Sequence, residues 1–451
     1  MKFLSNYHSL CVIIISRFVE NCYKGGDTVF LNYLQIVNYK NLCSTRFSFT
    51  EGVNTVIGEN DSGKSNAMTA LRILLDDTYY YNTKRLKETD FSDLLDNWKG
   101  HWIILSAVFG KITSEDKETE VCAGIVPEKE NEDFLKSYIK SGADNIGVIS
   151  LFIRPQKQVR KKLSEITDVA EFEKERNKIK LSDYEFYYTS RSQTDFTDKH
   201  IYKSIVGDLE NGKCSNPDED DDGILGCKLN IADVQDHISV VFIDALRDVA
   251  NELGKPKNPI RRIIESVESL IKESEIDAIK SEIIELNKSI SEVEQVKLVG
   301  KKINDKLLDM IGMVYSPEII LESGLKDDIN SLSRYLFMKP SKQNDIDSLG
   351  LGHLNMIYMA LKIVEYEVNR TRELINIMII EEPEAHIHTH IQRTLFDKLK
   401  VTKDYTQIIA TTHSTHLAEV SEIRNVNILK SIGNKSISMQ PNIGLDEFGK
   451  K

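Results

Sequence analysis

The stretch Gly58-Glu59-Asn60-Asp61-Ser62-Gly63-Lys64-Ser65 spells G-x-x-x-x-G-K-[ST], with Asn66 following. In front stands the apolar run Val53 to Ile57, and behind it the helical pattern Ala67 to Leu75. A loop of this kind, entered from a strand and left through a helix, turns consecutive backbone N–H groups toward a polyphosphate. Lys64 then reaches the β- and γ-oxygens, and Ser65 is placed to ligate Mg²⁺ at the positive end of the helix. The pattern predicts an α/β fold of the P-loop NTPase class with a nucleoside triphosphate and Mg²⁺ as ligands.

The chain has 451 residues, enough for about three domains, and a net charge of −12. That acidity disfavours adhesion to nucleic acid by the whole surface, so any DNA contact requires a local basic patch or an assembled groove. Six scattered cysteines without a C-x-x-C pair fit a reducing cytoplasm and supply neither a zinc site nor a disulfide framework. The apolar stretch Leu10 to Ile15 is too short to span a bilayer and lacks a cleavage site. Lys24-Gly25-Gly26-Asp27 has codons that can read as a ribosome-binding sequence ahead of a start at Val29, so residues 1–28 are set aside as a doubtful leader.

From Leu31 the pattern reads strand (Leu31 to Val37), turn (Asn38 to Asn41), strand (Thr45 to Phe49), Glu51-Gly52 turn, and the strand feeding the loop. Residues 110 to 240 read as a mixed insertion or arm. Its loop Asp218-Glu219-Asp220-Asp221-Asp222-Gly223 begins like an EF-hand, but Leu229 stands where the bidentate Glu belongs, so a solvated loop is expected. From Pro259 to about Ile311 the chain is Lys/Glu-rich, and Ile276, Ile279, Ile283, Leu286, Ile290 and Val293 form a coiled-coil-like seam. Three heptads serve an intrachain hairpin as well as a dimer contact.

The second half of a nucleotide site follows. Ile377 to Glu384 reads as a buried strand ending in the adjacent carboxylates Glu381 and Glu382. Glu381 is expected to hold Mg²⁺, and Glu382 to orient and deprotonate the attacking water. Another strand, Thr406 to Thr412, delivers His413 as a γ-phosphate sensor. Between these and the loop lies Ser348-Leu349-Gly350-Leu351-Gly352-His353, whose glycines and helix N-terminus suit close approach to an anion. His386, His388 and His390 alternate and so do not share a helix face, which argues against a metal site. The clusters Arg154, Lys157, Arg160, Lys161, Lys162 and Lys255, Lys257, Arg261, Arg262 are candidate phosphate contacts for DNA.

This ordered set resembles the ABC-type ATPase core of the RecF/SMC superclass, and most of all the OLD (overcoming lysogenization defect) family of ATP-dependent endonucleases. The likeness is carried by Asn38-Tyr39-Lys40-Asn41, Gly58 to Ser65, Asp90-Phe91-Ser92, Ala245-Leu246-Arg247-Asp248, Gly350-Leu351-Gly352, Glu381 to His386 and Thr411-Thr412-His413-Ser414. It implies that Lys40 and Asn41 join the nucleotide contacts, that Ser348, Gly350 and Gly352 are a degenerate signature, and that His413 is the switch histidine. It also implies a dimer in which each signature closes over the ATP held by the other copy. The lid glutamine of transporter-type relatives is not identifiable. OLD-family chains normally continue into a TOPRIM nuclease, whereas Asn427 to Lys451 reads as a last strand and a polar tail, so an ATPase portion without nuclease activity of its own is expected.

The expected organisation is therefore an ATPase core split into 29–110 and 336–435, a mixed insertion at 111–240, a helical dimerisation segment at 241–335 and a polar tail at 436–451. The expected function is ATP binding and hydrolysis within an OLD-like, DNA-targeting endonuclease system of bacterial phage defence or DNA processing. Expected partners are a second copy, DNA and a separate nuclease or effector, with no membrane and a cytoplasmic location. The alternative is an SMC/RecF-like, ATP-driven scaffold for DNA or protein that controls no nuclease.

Overall fold

The computed structural model of the chain describes residues 29–76, 79, 85–112, 125–126, 146–217, 223–235, 237–244, 263, 273–311, 350–369, 375–384, 407–413, 425–433 and 435–439. The chain divides into two units. One comprises Met1–Arg247, Leu351–Met359 and Asn369–Lys451, the other Asp248–Gly350 and Ala360–Val368.

Two six-stranded sheets build the first unit. The antiparallel one runs β2 (Leu42–Ser48), β1 (Phe30–Tyr39), β4 (Ile103–Gly110), β5 (Gly147–Pro155), β6 (Tyr184–Ser190) and β7 (Cys227–Lys228). The other runs β12 (Lys435–Met439), β11 (Val426–Ile432), β3 (Val53–Gly58), β10 (Gln407–Thr412), β9 (Ile375–Glu381) and β8 (Ile238–Ile243). Its strands are parallel from β11 to β8, and β12 closes the edge antiparallel to β11.

Helix α1 (Lys64–Leu75) leaves the phosphate loop and buries Ala67, Met68, Ala70, Leu71, Ile73, Leu74 and Leu75. Two alanines on that face let the helix approach the sheets closely, and together with β1, β4 and β5 it forms one apolar core. β4 and β5 are buried along their whole length, which requires cover on both faces rather than the alternation of a half-solvated sheet. Helices α2 (Lys157–Ser164), α3 (Val169–Arg176) and α4 (Lys199–Val206) add Leu163, Phe172, Ile205 and Val206 to that core.

These pairings redraw the expected boundaries. The segment read as an arm supplies β5, β6 and β7 to the sheet that holds β1 and β2, because β5 is apolar enough to be buried along its whole length and β6 and β7 pair onward from it. β8 runs to Ile243 inside the parallel sheet, past the expected start of the helical segment at 241. The segment read as a polar tail from 436 begins inside β12. There Ser436 is buried while Ile437 and Met439 face solvent.

In the second unit α5 (Glu273–Glu292) and α6 (Glu294–Ile311) are separated by Val293 alone. The Val296 and Lys297 N–H groups already bond to the Val293 carbonyl, a break shorter than the loops that reverse a helical pair. Along the expected seam Ile279 and Ile283 are half-buried, while Leu286, Ile290 and Val293 are exposed. Helix α7 (Leu351–Asn369) follows Gly350 directly. Residues 1–28, the EF-hand-like run 218–222, residues 245–248, the second basic cluster, His386, His388 and His390, and Ser348 lie outside the described residues.

Candidate functional site

Parallel pairing sets the site at one edge of the sheet. Thr412 lies beside Ile57, Thr411 beside Glu381, and Leu429 beside Gly58. The carboxyl ends of β3, β10 and β9 therefore deliver the phosphate loop, His413 and the acidic pair side by side, where ligands of open α/β sheets bind.

The loop is held tightly from behind. Asp61 and Gly63 adopt positive φ, 60° and 99°, and a Cβ on Gly63 would lie 2.8 Å from Asn41 Oδ1, so that position needs glycine for both conformation and space. A Cβ on Gly58 would meet Ser62 Oγ at 2.4 Å and the Leu429 carbonyl at 2.6 Å. Asn41 donates from Nδ2 to the Asp61 carbonyl (3.1 Å) and accepts at Oδ1 from Asn66 (2.9 Å). Lys40, in the same turn, has φ 49° and lays its ammonium over the Tyr39 ring.

Glu59, Asn60, Asp61 and Ser65 are exposed at the mouth, while Ser62, Gly63 and Lys64 are buried. Lys64 Nζ donates to the carbonyls of Gly58 and Glu59, each at 2.8 Å. Burial pushes its pKa down, against the opposing pull of Glu382, Glu384, Asp61 and Glu381. The first turn of α1 carries no acidic residue, leaving its partial positive charge unopposed.

Opposite, the Ser65 side chain faces Glu381 closely enough to lower its pKa. Burial raises the Glu381 pKa, the Ser65 hydroxyl lowers it, and the charges of Asp244 and Glu382 raise it again. Asp244 follows β8 directly, next to the Ile243–Ile380 pair, and faces Arg72 at 4.0 Å. Glu382 has φ 44°, and its N–H donates to the Thr411 carbonyl at 3.0 Å. His413 Nδ1 stands 3.6 Å from Glu382 Oε1 and 3.7 Å from Glu384 Oε1.

Of the residues expected from sequence, the structure thus brings Gly58 to Asn66, Asn41, Glu381, Glu382 and His413 to one edge. Gly350 is exposed, with no atom of the described residues within 4 Å of where a Cβ would stand, and Gly352 is the second residue of α7. The first basic cluster is corrected in part: Arg154 and Arg160 are fully buried, share Glu185 and stack on Trp102. They hold a core together and are inaccessible to DNA phosphates, since a buried guanidinium is retained only where it is paired.

Three residues escaped sequence reasoning. Asp244 ends an apolar strand just as Glu381 does, and that parallel was a legible signal. Glu384 stood in the quoted motif without a role, although it is 7% exposed. Ser436 carried no signal, yet its hydroxyl donates to the Ser62 carbonyl at 2.6 Å and its N–H to the Asn41 carbonyl at 3.0 Å.

Over residues 30–418 the chain matches the AAA ATPase domain family. It belongs to that family. The expected fold class, an α/β P-loop ATPase, holds accordingly. Among solved structures it is similar to the Smc head domain with an extended coiled coil, bound to the C-terminal domain of ScpA, from Pyrococcus furiosus (13% identity, 94% of this chain and 99% of that one, TM-score 0.45). It is also similar to the SMC head domain from Thermotoga maritima (11%, 91% and 98%, TM-score 0.37). A third is the recombination mediator protein RecF with ATP (11%, 92% and 99%, TM-score 0.40). None superposes well enough to lend this chain a role. No curated protein matches it. No helix among the described residues is long and apolar enough to cross a membrane.

Proposed function

We propose that this AAA-family chain binds ATP on the Gly58–Ser65 loop and hydrolyses it with Glu382 as general base and His413 at the γ-phosphate. The observation that carries the reading is the convergence of Lys64, Ser65, Glu381, Glu382 and His413 at the carboxyl ends of three adjacent parallel strands. Lys64 exchanges the Gly58 and Glu59 carbonyls for the β- and γ-oxygens. Ser62 Oγ, buried without a hydrogen-bond partner among the described residues, is the kind of orphan that a phosphate oxygen satisfies.

The residues also fit Mg²⁺. A hydroxyl and a carboxylate face one another, and the carboxylate is held against its own ionisation by burial and neighbouring negative charge. Ser65 and Glu381 would hold the ion, which supplies charge neutralisation at the phosphates when bound. Glu382 orients the water and takes its proton, and His413 steadies the charge that builds on the transferred group.

In the same proposal two copies close on ATP, with Ser348, Gly350 and Gly352 of one facing the nucleotide of the other. The second unit carries the dimer contact, and the assembly drives an OLD-like, DNA-targeting endonuclease whose nuclease is supplied separately. The support for this larger frame is the ordered motif set together with the N-terminus of α7, which follows Gly350 and has no acidic residue in its first turn.

Lys64→Ala tests the site. It should abolish measurable ATP binding in a fluorescent-nucleotide titration while the protein stays folded. Wild-type affinity in that variant would remove the loop from the account.

A further inference from the structure

Glu384 is nine-tenths buried two residues after the proposed base, and one of its oxygens organises the end of the neighbouring strand. Oε1 accepts from the Thr412 hydroxyl and from the His413 N–H at 3.1 Å, and it lies 3.7 Å from His413 Nδ1. The same turn is tied a second time where the Glu382 N–H donates to the Thr411 carbonyl. Between these two ties Glu382 is held at φ 44°, with its carboxylate 3.6 Å from the His413 ring.

An extended ladder alone would carry β9 and β10 forward without fixing what lies beyond their ends. The turn at Glu382-Pro383-Glu384 instead folds a carboxylate back over the end of β10. A carboxylate accepting from a hydroxyl and a backbone N–H makes charge-assisted bonds, the strong kind that fix geometry. The oxygen so engaged is poorly placed to take a proton from water, whereas Glu382 is partly exposed. The two acidic residues of the motif therefore divide the work.

We propose, resting on the ATPase reading above, that Glu384 is a positioning residue for hydrolysis. Through Thr412 and the His413 main chain it sets the distance between the γ-phosphate sensor and the general base, and it touches neither nucleotide nor water. Removing it should leave ATP binding, which belongs to the loop and Lys64, while turnover suffers because a small misplacement of catalytic groups is costly.

The test compares Glu384→Ala, Glu384→Gln, Thr412→Val and Glu382→Gln in the full chain, by ATP titration, steady-state hydrolysis and hydrogen exchange of the peptide containing His413. Glu384→Ala should hold its Kd for ATP within about threefold, lose about thirtyfold or more in kcat, and exchange the His413 amide faster. Glu384→Gln should keep kcat within about fivefold and keep the amide protected, because an amide oxygen accepts the same two bonds. Should Glu384→Ala fail to fold, Thr412→Val serves instead, with about a tenfold loss in kcat at unchanged Kd.

The proposal is overturned if Thr412→Val and Glu384→Ala both keep wild-type kcat, or if binding falls in step with kcat. It also falls if Glu384→Gln is as slow as Glu384→Ala, which would mean that the charge rather than the acceptor is used. Wild-type turnover that persists in Glu382→Gln would instead refute the base assignment, and the exchange readout would still decide the role of Glu384.

Discussion

Glu382 is one of six non-glycine residues with positive φ among those described, and it occupies the position proposed for the general base. Such a backbone costs about 1–2 kcal/mol, a strain that persists only where surrounding bonds over-determine it. Here the Thr411 carbonyl and the Glu384 carboxylate do so from both sides of the turn. Its neighbour Glu381 carries the clearest pH consequence. Its folded pKa is raised chiefly by burial, so it takes up a proton while a solvated carboxyl is still ionised, and ionising it costs the free protein stability that acidification restores. Metal coordination requires the charged form. Affinity for Mg·ATP should therefore weaken as pH falls through the raised pKa, with proton release on binding visible by calorimetry in two buffers. Glu381→Gln should bind more weakly throughout and lose that pH dependence, and an equal slope in both proteins would contradict the assignment.

At the scale of elements, the β11–β12 hairpin is the part of the site that sequence concealed. β12 backs the phosphate loop, with Ser436 tying the Ser62 carbonyl and the Asn41 turn together and accepting at its own carbonyl from Thr45. Ser436→Ala should loosen the loop. The loss of about 1 kcal/mol for one buried bond corresponds to roughly fivefold weaker ATP binding, measurable by titration, with kcat at saturating ATP little changed. The loop, the acidic strand end and His413 were legible because their chemistry is local: glycine spacing, an apolar run ending in carboxylates, and a strand ending in histidine. Ser436 and Thr412 act through pairings between distant segments, and nothing in their own neighbourhood announces a partner. The same limit explains the misplaced arm. The sequence from 110 to 240 reads only as a mixed segment, and it takes the register of β5 with β4 and of β6 with β5 to show which sheet they extend. Arg154 and Arg160 misled for a related reason, since a basic run looks solvated until Trp102, Tyr187 and Glu185 are seen around it.

On the scale of the whole molecule, the antiparallel sheet and α1 form one core with the strands that present the site, so stability and function share a support. His101 gives that core an acid limit. Burial, with Arg176 nearby, pushes its pKa down to about 4 from 6.5, and its Nδ1 faces the Tyr202 hydroxyl at 3.1 Å. The unfolded chain protonates this ring below about pH 6.5 while the folded one does not, so stability present above that pH is lost as pH falls toward 4, by up to about 3 kcal/mol. Thermal melts should show a shallower acid decline in His101→Phe than in wild type. In the second unit, the exposed Leu286, Ile290 and Val293 suit the proposed contact between copies. With Glu382→Gln and ATP, light scattering should find an assembly larger than the nucleotide-free form, and unchanged mass with ATP bound would dismiss the sandwich. The central claim, that this edge of the sheet hydrolyses ATP, is tested most directly by phosphate release from Glu382→Gln with ATP binding measured in the same sample. The account predicts bound ATP at close to wild-type affinity and a turnover lower by roughly two to four decades. Undiminished turnover by a variant shown to hold ATP would contradict it.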